Sequence, residues 1–227
     1  MVLLLETATE VCSVALAEEG RMLAEVTAPE AHQHASRLTT FIQEVLRDAG
    51  ATVQDLSELV LSDGPGSYTS LRVGAATAKG LCLALPKLRF FVVPTLTALA
   101  HAAPTASADH LLATLNSRRG EVYGQVFAAD GPRTPLTKVM NVRLADPQWR
   151  GKLLDGRGLG RMRVIGPGQD RIREKVPEDN ALQYDLPQTC SARTLLLPAR
   201  LRPALASYEP FYLNPPFVTR SKKKALL

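Results

Sequence analysis

Two carboxylates, Glu6 and Glu10, follow a short apolar run at residues 2–5, where nucleotide-binding α/β proteins put a metal-linked acid after a first strand. Glu6 is a candidate for that role or, equally, the acid of an exposed turn. The following Thr7-Ala8-Thr9 has no glycine that would let backbone amides close around a phosphate. A second candidate is Asp63-Gly64-Pro65-Gly66-Ser67-Tyr68-Thr69-Ser70, a loop expected to lead from a strand into a helix. Its glycines permit unusual backbone angles, and a helix start capped by Thr69 or Ser70 presents N–H groups to an anion. Gly64, Gly66, Ser67 and Thr69 are therefore candidate nucleotide or anion contacts, with a plain structural turn as the simpler reading. No Gly-Lys-Ser/Thr follows, so the loop is not of the Walker type. Arg118 and Arg119 stand beside Glu121 in a hairpin-like turn, where they could bind phosphate or form an internal ion pair.

Other chemistries lack their residues. None of His32, His34, His101 and His110 forms an i, i+4 pair, so no metal site is expected, and no Gly-x-Ser-x-Gly marks a nucleophile. Cys12, Cys82 and Cys190 are widely spaced, odd in number and set in apolar sequence, which predicts packed thiols rather than disulfides. No catalytic residue and no cofactor is assigned on these grounds.

The elements that must position these residues follow from hydrophobic periodicity. Strands are expected at 2–5, 11–17 and 22–27, then a helix at 32–49 closed by Gly50, a strand at 58–62, a helix at 70–85, a strand at 89–93 and a helix at 96–102. This is a β-β-β-α-β-α-β-α order. After Pro104-Thr105-Ala106-Ser107 the pattern restarts, which places a boundary between an N-terminal lobe, 1–104, and a C-terminal lobe, 105–227, whose tail is expected to pack back on the first lobe. The second lobe should hold strands at 110–116, 121–128, 136–142 and 163–166, an irregular stretch at 146–161 and a short helix at 169–175. A helix at 191–205 should break near Leu197, ahead of Pro198.

The helix at 70–85 carries only two charges, Arg72 and Lys79, and many small residues. A helix apolar nearly all round must be covered on both sides. With the helix at 32–49 beside it, the pair predicts a docking surface built from Leu38, Phe41, Ile42, Val45, Arg72, Ala75, Ala76, Lys79 and Leu83. Left uncovered, such a surface would pair with a second copy of the chain.

Composition agrees with a globular chain: 27 Lys+Arg against 22 Asp+Glu leave +5, a mild excess short of the dense basic face of a dedicated nucleic-acid binder. The basic run 220–224 reads as a solvated terminus, with tRNA contact as the alternative. A cytoplasmic location without membrane span or export is expected.

Residues 4–16, the loop Asp63 to Gly74 with Ala78-Lys79-Gly80-Leu81, the Arg118-Arg119-Gly120-Glu121-Val122-Tyr123 turn and Glu209-Pro210-Phe211-Tyr212-Leu213 together resemble the TsaB (YeaZ) family. These are non-catalytic paralogues of TsaD in bacterial tRNA threonylcarbamoyladenosine synthesis. The resemblance implies an actin-like, Hsp70-like two-lobed α/β fold with a smaller, degenerate C-terminal lobe. It further implies a scaffold that binds and activates TsaD, the subunit that transfers threonylcarbamoyl from its adenylate to the adenosine beside the anticodon. TsaE is the other protein partner, tRNA is met only through the complex, and ATP and metal belong to the partner subunits. Glu6 departs from a common Asp, Ser70 from a common Gly and Asn116 from a common Asp. The alternative is an enzyme of the actin-like superfamily, either a nucleotide-dependent phosphotransferase or a glycoprotease-like peptidase.

Overall fold

The computed structural model describes residues 1–28, 34–104, 110–129, 131–158, 160–177, 179–184, 189–196, 203 and 205–214. The chain opens on β1 (Val2–Glu6), β2 (Ser13–Glu18) and β3 (Arg21–Thr27), followed by α1 (His34–Asp48), β4 (Glu58–Ser62), α2 (Tyr68–Ala84), β5 (Arg89–Val93) and α3 (Thr95–Ala102). It continues through β6 (His110–Asn116), β7 (Glu121–Ala128), β8 (Met140–Arg143), α4 (Trp149–Leu153), β9 (Met162–Ile165), α5 (Gln169–Lys175) and β10 (Leu182–Tyr184).

Two five-stranded sheets result, in the orders β3-β2-β1-β4-β5 and β10-β9-β6-β7-β8. In each, three strands form an antiparallel meander and the first of them continues in parallel into two more. The second half thus repeats the topology of the first, a repeat that no sequence period reveals. Central strands carry unbroken apolar runs because both faces are covered: Leu3, Leu4 and Leu5 of β1 are fully buried.

α1 and α2 cover one face of the first sheet, and their contact with it makes the largest apolar core. On the opposite face, α3 brings Ala98 onto the first sheet and Leu96 and Leu99 into the core under the second. Gly74 lets α2 approach the start of the β1–β2 turn, since a Cβ there would lie 2.2 Å from Thr7 Oγ1.

The first-half elements match expectation within two residues wherever they are described, the expected start of α1 at residue 32 lying outside the described residues, as does the region just past the boundary at 104. Beyond residue 135 the differences grow. β8 covers only Met140–Arg143, α4 occupies part of the stretch expected to be irregular, and β10 was not foreseen. Of the helix expected at 191–205, the described residues show 3-10 turns at Ala192–Leu195 and Leu205–Ser207, while the expected break at Leu197 lies outside the described residues. The first turn packs on the first sheet: Ala192 and Leu195 join its core, Ala192 N–H donates to Ser13 Oγ (3.0 Å), and Arg193 pairs with Glu25 (2.6 Å). Among the described residues, no helix is long and apolar enough to cross a membrane.

Candidate functional site

Glu6 ends β1 and is wholly buried, so it is not an exposed turn carboxylate, and it does not line the cleft described below. Its Oε1 accepts the Ala8 N–H at 2.6 Å, whereas Oε2 has no partner among the described residues. Burial pushes its pKa from 4.5 to about 7, against the smaller opposing pull of the Ala8 N–H and the Ser62 hydroxyl. Ser62 also accepts the Thr7 N–H at 3.0 Å, tying the ends of β1 and β4 together.

The glycine loop is closed rather than open. Ser67, not Thr69 or Ser70, caps α2, accepting from the Ser70 N–H (3.5 Å) and hydroxyl (2.9 Å). Its own N–H donates to Ala8 O at 2.7 Å, and a Cβ on Gly66 would fall 2.0 Å from that same oxygen. Gly64 donates to Thr95 Oγ1 (3.2 Å), and a Cβ there would meet Phe211 O at 2.5 Å. The glycines therefore serve close packing, and the N–H groups of Gly64 and Ser67 already have protein acceptors. Of the candidate contacts, Gly66 and Ser67 line the cleft described next and Glu6 does not. Thr69 is exposed and Gly64 buried, and neither lines the cleft described next.

The residues that hold the loop down come from the C-terminal segment. Tyr208 is buried against Phe90 (ring centroids 4.9 Å apart) and donates its hydroxyl to Asp63 Oδ1 at 3.0 Å. Burial raises the pKa of Asp63, and the Tyr208 bond opposes that rise. Phe211 N–H donates to Asp63 O (2.7 Å), Tyr212 lies against Tyr68 (4.7 Å), and Asn214 donates to the Tyr123 hydroxyl of β7 (3.2 Å). Residues 208–214 thus strap the first sheet to the second. The signal for this was an aromatic cluster in a chain with few aromatic residues, which periodicity does not read.

Beneath the strap lies a cleft of about 420 Å3 between the two halves, walled by the β1–β2 turn, Gly66–Tyr68, Leu115–Arg118, Cys190 and Phe211–Asn214. Arg118 is among its lining residues. Glu121 pairs with Arg143 (3.6 Å) and accepts from Asn141 (2.9 Å), both on β8. The three cysteines are buried free thiols, and burial with the nearby Glu6 pushes Cys12 up to about 11, so it is not a thiolate nucleophile. Among the described residues, no three His, Cys, Asp or Glu side chains gather as a metal site would require.

The outer face of α2 is the other feature of note. Arg72, Ala76, Gly80, Leu83 and Ala84 are exposed, with Leu83 at 76% the most exposed large apolar side chain among the described residues. Lys79 is half-buried beside them. The expected two-helix surface needs correction, because Leu38, Phe41, Ile42, Val45 and Ala75 are core residues, at most 7% exposed. α1 has one apolar stripe, which the sheet consumes, and its outer face is polar: Ser36, Arg37, Thr39, Gln43 and Arg47. Ala35 of α1 is exposed as well, but of the two helices α2 alone exposes a large apolar side chain, Leu83.

Comparison with known proteins bears on both features. Residues 21–134 match the family model described as TsaD, tRNA N6-adenosine threonylcarbamoyltransferase. The chain is 35% identical over 130 residues to the tRNA threonylcarbamoyladenosine biosynthesis protein TsaB of Escherichia coli K12, covering 57% of this chain and 55% of that protein. It spans about half the length of the curated relatives it matches first. Among solved structures, YeaZ from Pseudomonas aeruginosa superimposes with a TM-score of 0.68 at 26% identity, over 86% of this chain and 88% of that one. The ethanolamine utilization protein EutJ from Carboxydothermus hydrogenoformans, at 11% identity and a TM-score of 0.51 over 86% of this chain and 88% of its own, shares the fold alone, that of the actin-like ATPases.

Proposed function

This chain belongs to the TsaD family, in its TsaB (YeaZ) group, and from that premise we propose that it is a docking subunit in tRNA threonylcarbamoyladenosine synthesis rather than a catalyst. Its partner is TsaD, which it binds through the outer face of α2. TsaE and tRNA join through the assembled complex. ATP and metal act on the partner subunits.

The observation that carries this reading is the apolar stripe of Ala76, Gly80, Leu83 and Ala84 flanked by Arg72 and Lys79. Small side chains let a second helix approach closely, and Leu83 supplies an apolar anchor that water otherwise covers. The packed glycine loop supports the non-catalytic half of the reading, because the N–H groups of Gly64 and Ser67 are already bonded within the chain.

The test is light scattering after size exclusion, with the chain alone and mixed with TsaD from the same source. A heteromeric species should form. Leu83→Glu should abolish it without loss of fold, since the side chain is exposed and an unpaired charge buried in the interface would cost several kcal/mol. Unchanged assembly with Leu83→Glu removes α2 from the interface. If the chain runs as a dimer when alone and the same substitution makes it monomeric, the two associations share this face.

A further inference from the structure

The cleft under the strap has a chemistry of its own. Its interior is apolar, formed by Val11, Leu115, Pro167, Cys190 and Leu213, and its volume lies within the range of small-ligand sites. Aromatic rings gather at one side: Phe211, still 42% exposed, and the tilted pair of Tyr68 and Tyr212. Guanidinium groups flank them. Arg118 lines the cleft, Arg119 is exposed next to it, and Arg72 sits over the Tyr68 ring at 5.6 Å. Glu10 is the only carboxylate in the lining. Inside, Ser117 Oγ is buried with no partner among the described residues.

A free nucleoside triphosphate is a poorer match, because two of the amides around the start of α2 are already taken, the Ser67 N–H by Ala8 O and the Ser70 N–H by Ser67 Oγ. What remains is a π-surface for one flat ring, cations for isolated phosphates, and a hydroxyl unsatisfied among the described residues. Those are the elements by which proteins hold unstacked bases of a single strand.

We propose that this cleft takes one unstacked nucleotide of a single-stranded RNA, its base against Phe211 and the Tyr68–Tyr212 pair and its flanking phosphates against Arg118, Arg119 and Arg72. The choice of RNA as the polymer rests on the tRNA-linked reading above, while the recognition of base and phosphate rests on the cleft. Arg72 and Tyr68 lie where α2 meets the cleft, so the strand would run along the border of the docking face.

The experiment is fluorescence anisotropy of a labelled oligoadenylate with the full chain at two salt concentrations, with the deoxy oligomer in parallel. Binding should weaken with salt. Phe211→Ala should reduce affinity at least about fivefold at both salts, the lower end of what one base–aromatic stack contributes. Because Phe211 is exposed, the variant should keep the parent melting temperature. Arg118→Gln should weaken binding and flatten the log–log salt slope by about 0.7, the share of one phosphate contact on a single strand. Absence of binding overturns the inference, as does binding that Phe211→Ala leaves unchanged, which would mark charge attraction alone, for instance by residues 220–224. Tighter binding of the deoxy oligomer overturns the choice of RNA. The docking test uses TsaD without RNA, so either reading can fail while the other stands.

Discussion

Replacing Glu6 by Gln separates the cost of a buried charge from the value of the hydrogen bonds around it. The carboxyl is wholly buried, with Oε1 bonded to the Ala8 N–H and Oε2 unpartnered among the described residues. Its pKa is 4.5 in the unfolded reference and about 7 in the fold. Between those values the folded state keeps a proton that the unfolded state has released. The stability contributed by this group is therefore fully present below pH 4.5 and is lost as pH rises through about 7. At 1.36 kcal/mol per unit, that displacement amounts to roughly 3 kcal/mol by pH 8. Gln mimics the protonated form in shape and can still accept the Ala8 N–H, but it does not titrate. Denaturant unfolding of both proteins at several values between pH 4.5 and 8 checks this. The parent should lose stability relative to Glu6→Gln by roughly 3 kcal/mol across the range. Other titrating groups are common to both proteins and cancel in the difference. A difference that stays flat with pH would refute the reasoning, since Glu6 would then ionise in the fold as it does in the unfolded chain.

Two further substitutions test the closed loop. Gly66→Ala puts a methyl 2.0 Å from Ala8 O, where only backbone movement relieves the clash, so thermal unfolding should show a loss of about 2–3 kcal/mol. Tyr208→Phe keeps the ring packed on Phe90 and removes the donor to Asp63, which should cost about 1–2 kcal/mol in denaturant unfolding near neutral pH. A cost within error would mean that water replaces the phenol at Asp63.

The first half was legible in the sequence because its elements obey simple periods. β1, β4 and β5 are short apolar runs between turns, and α1 repeats its buried residues at helical spacing from Leu38 to Leu46. Periodicity does not say how much of an apolar stripe a sheet will consume. Phe41 and Ile42 therefore read as surface for a partner and are core instead, at 1% and 5% exposure. Local glycine chemistry likewise does not say which chain segment fills the space a glycine leaves. At Gly66 it is the β1–β2 turn, and at Gly64 the segment around Phe211, nearly 150 residues away in sequence. Long-range contacts of this kind carry no local pattern. The same applies to Ala192–Leu195, whose apolar residues suggested a helix but whose burial comes from the first sheet.

The contacts that close the loop also bear on how the molecule could serve a partner. Glu6, Ser62, Thr7 and Ala8 tie β1 to β4 and to the turn, Ser67 ties that turn to α2, and Tyr208 and Phe211 tie the loop to the strap. α2 is thereby fixed at its N-terminal end, while its core side, from Leu71 to Cys82, is buried along the helix. Association is opposed by the ordering of whatever was mobile before it, so a helix already held in place gives up less on docking. The bonds that take the Gly64 and Ser67 N–H groups also hold the N-terminal end of α2.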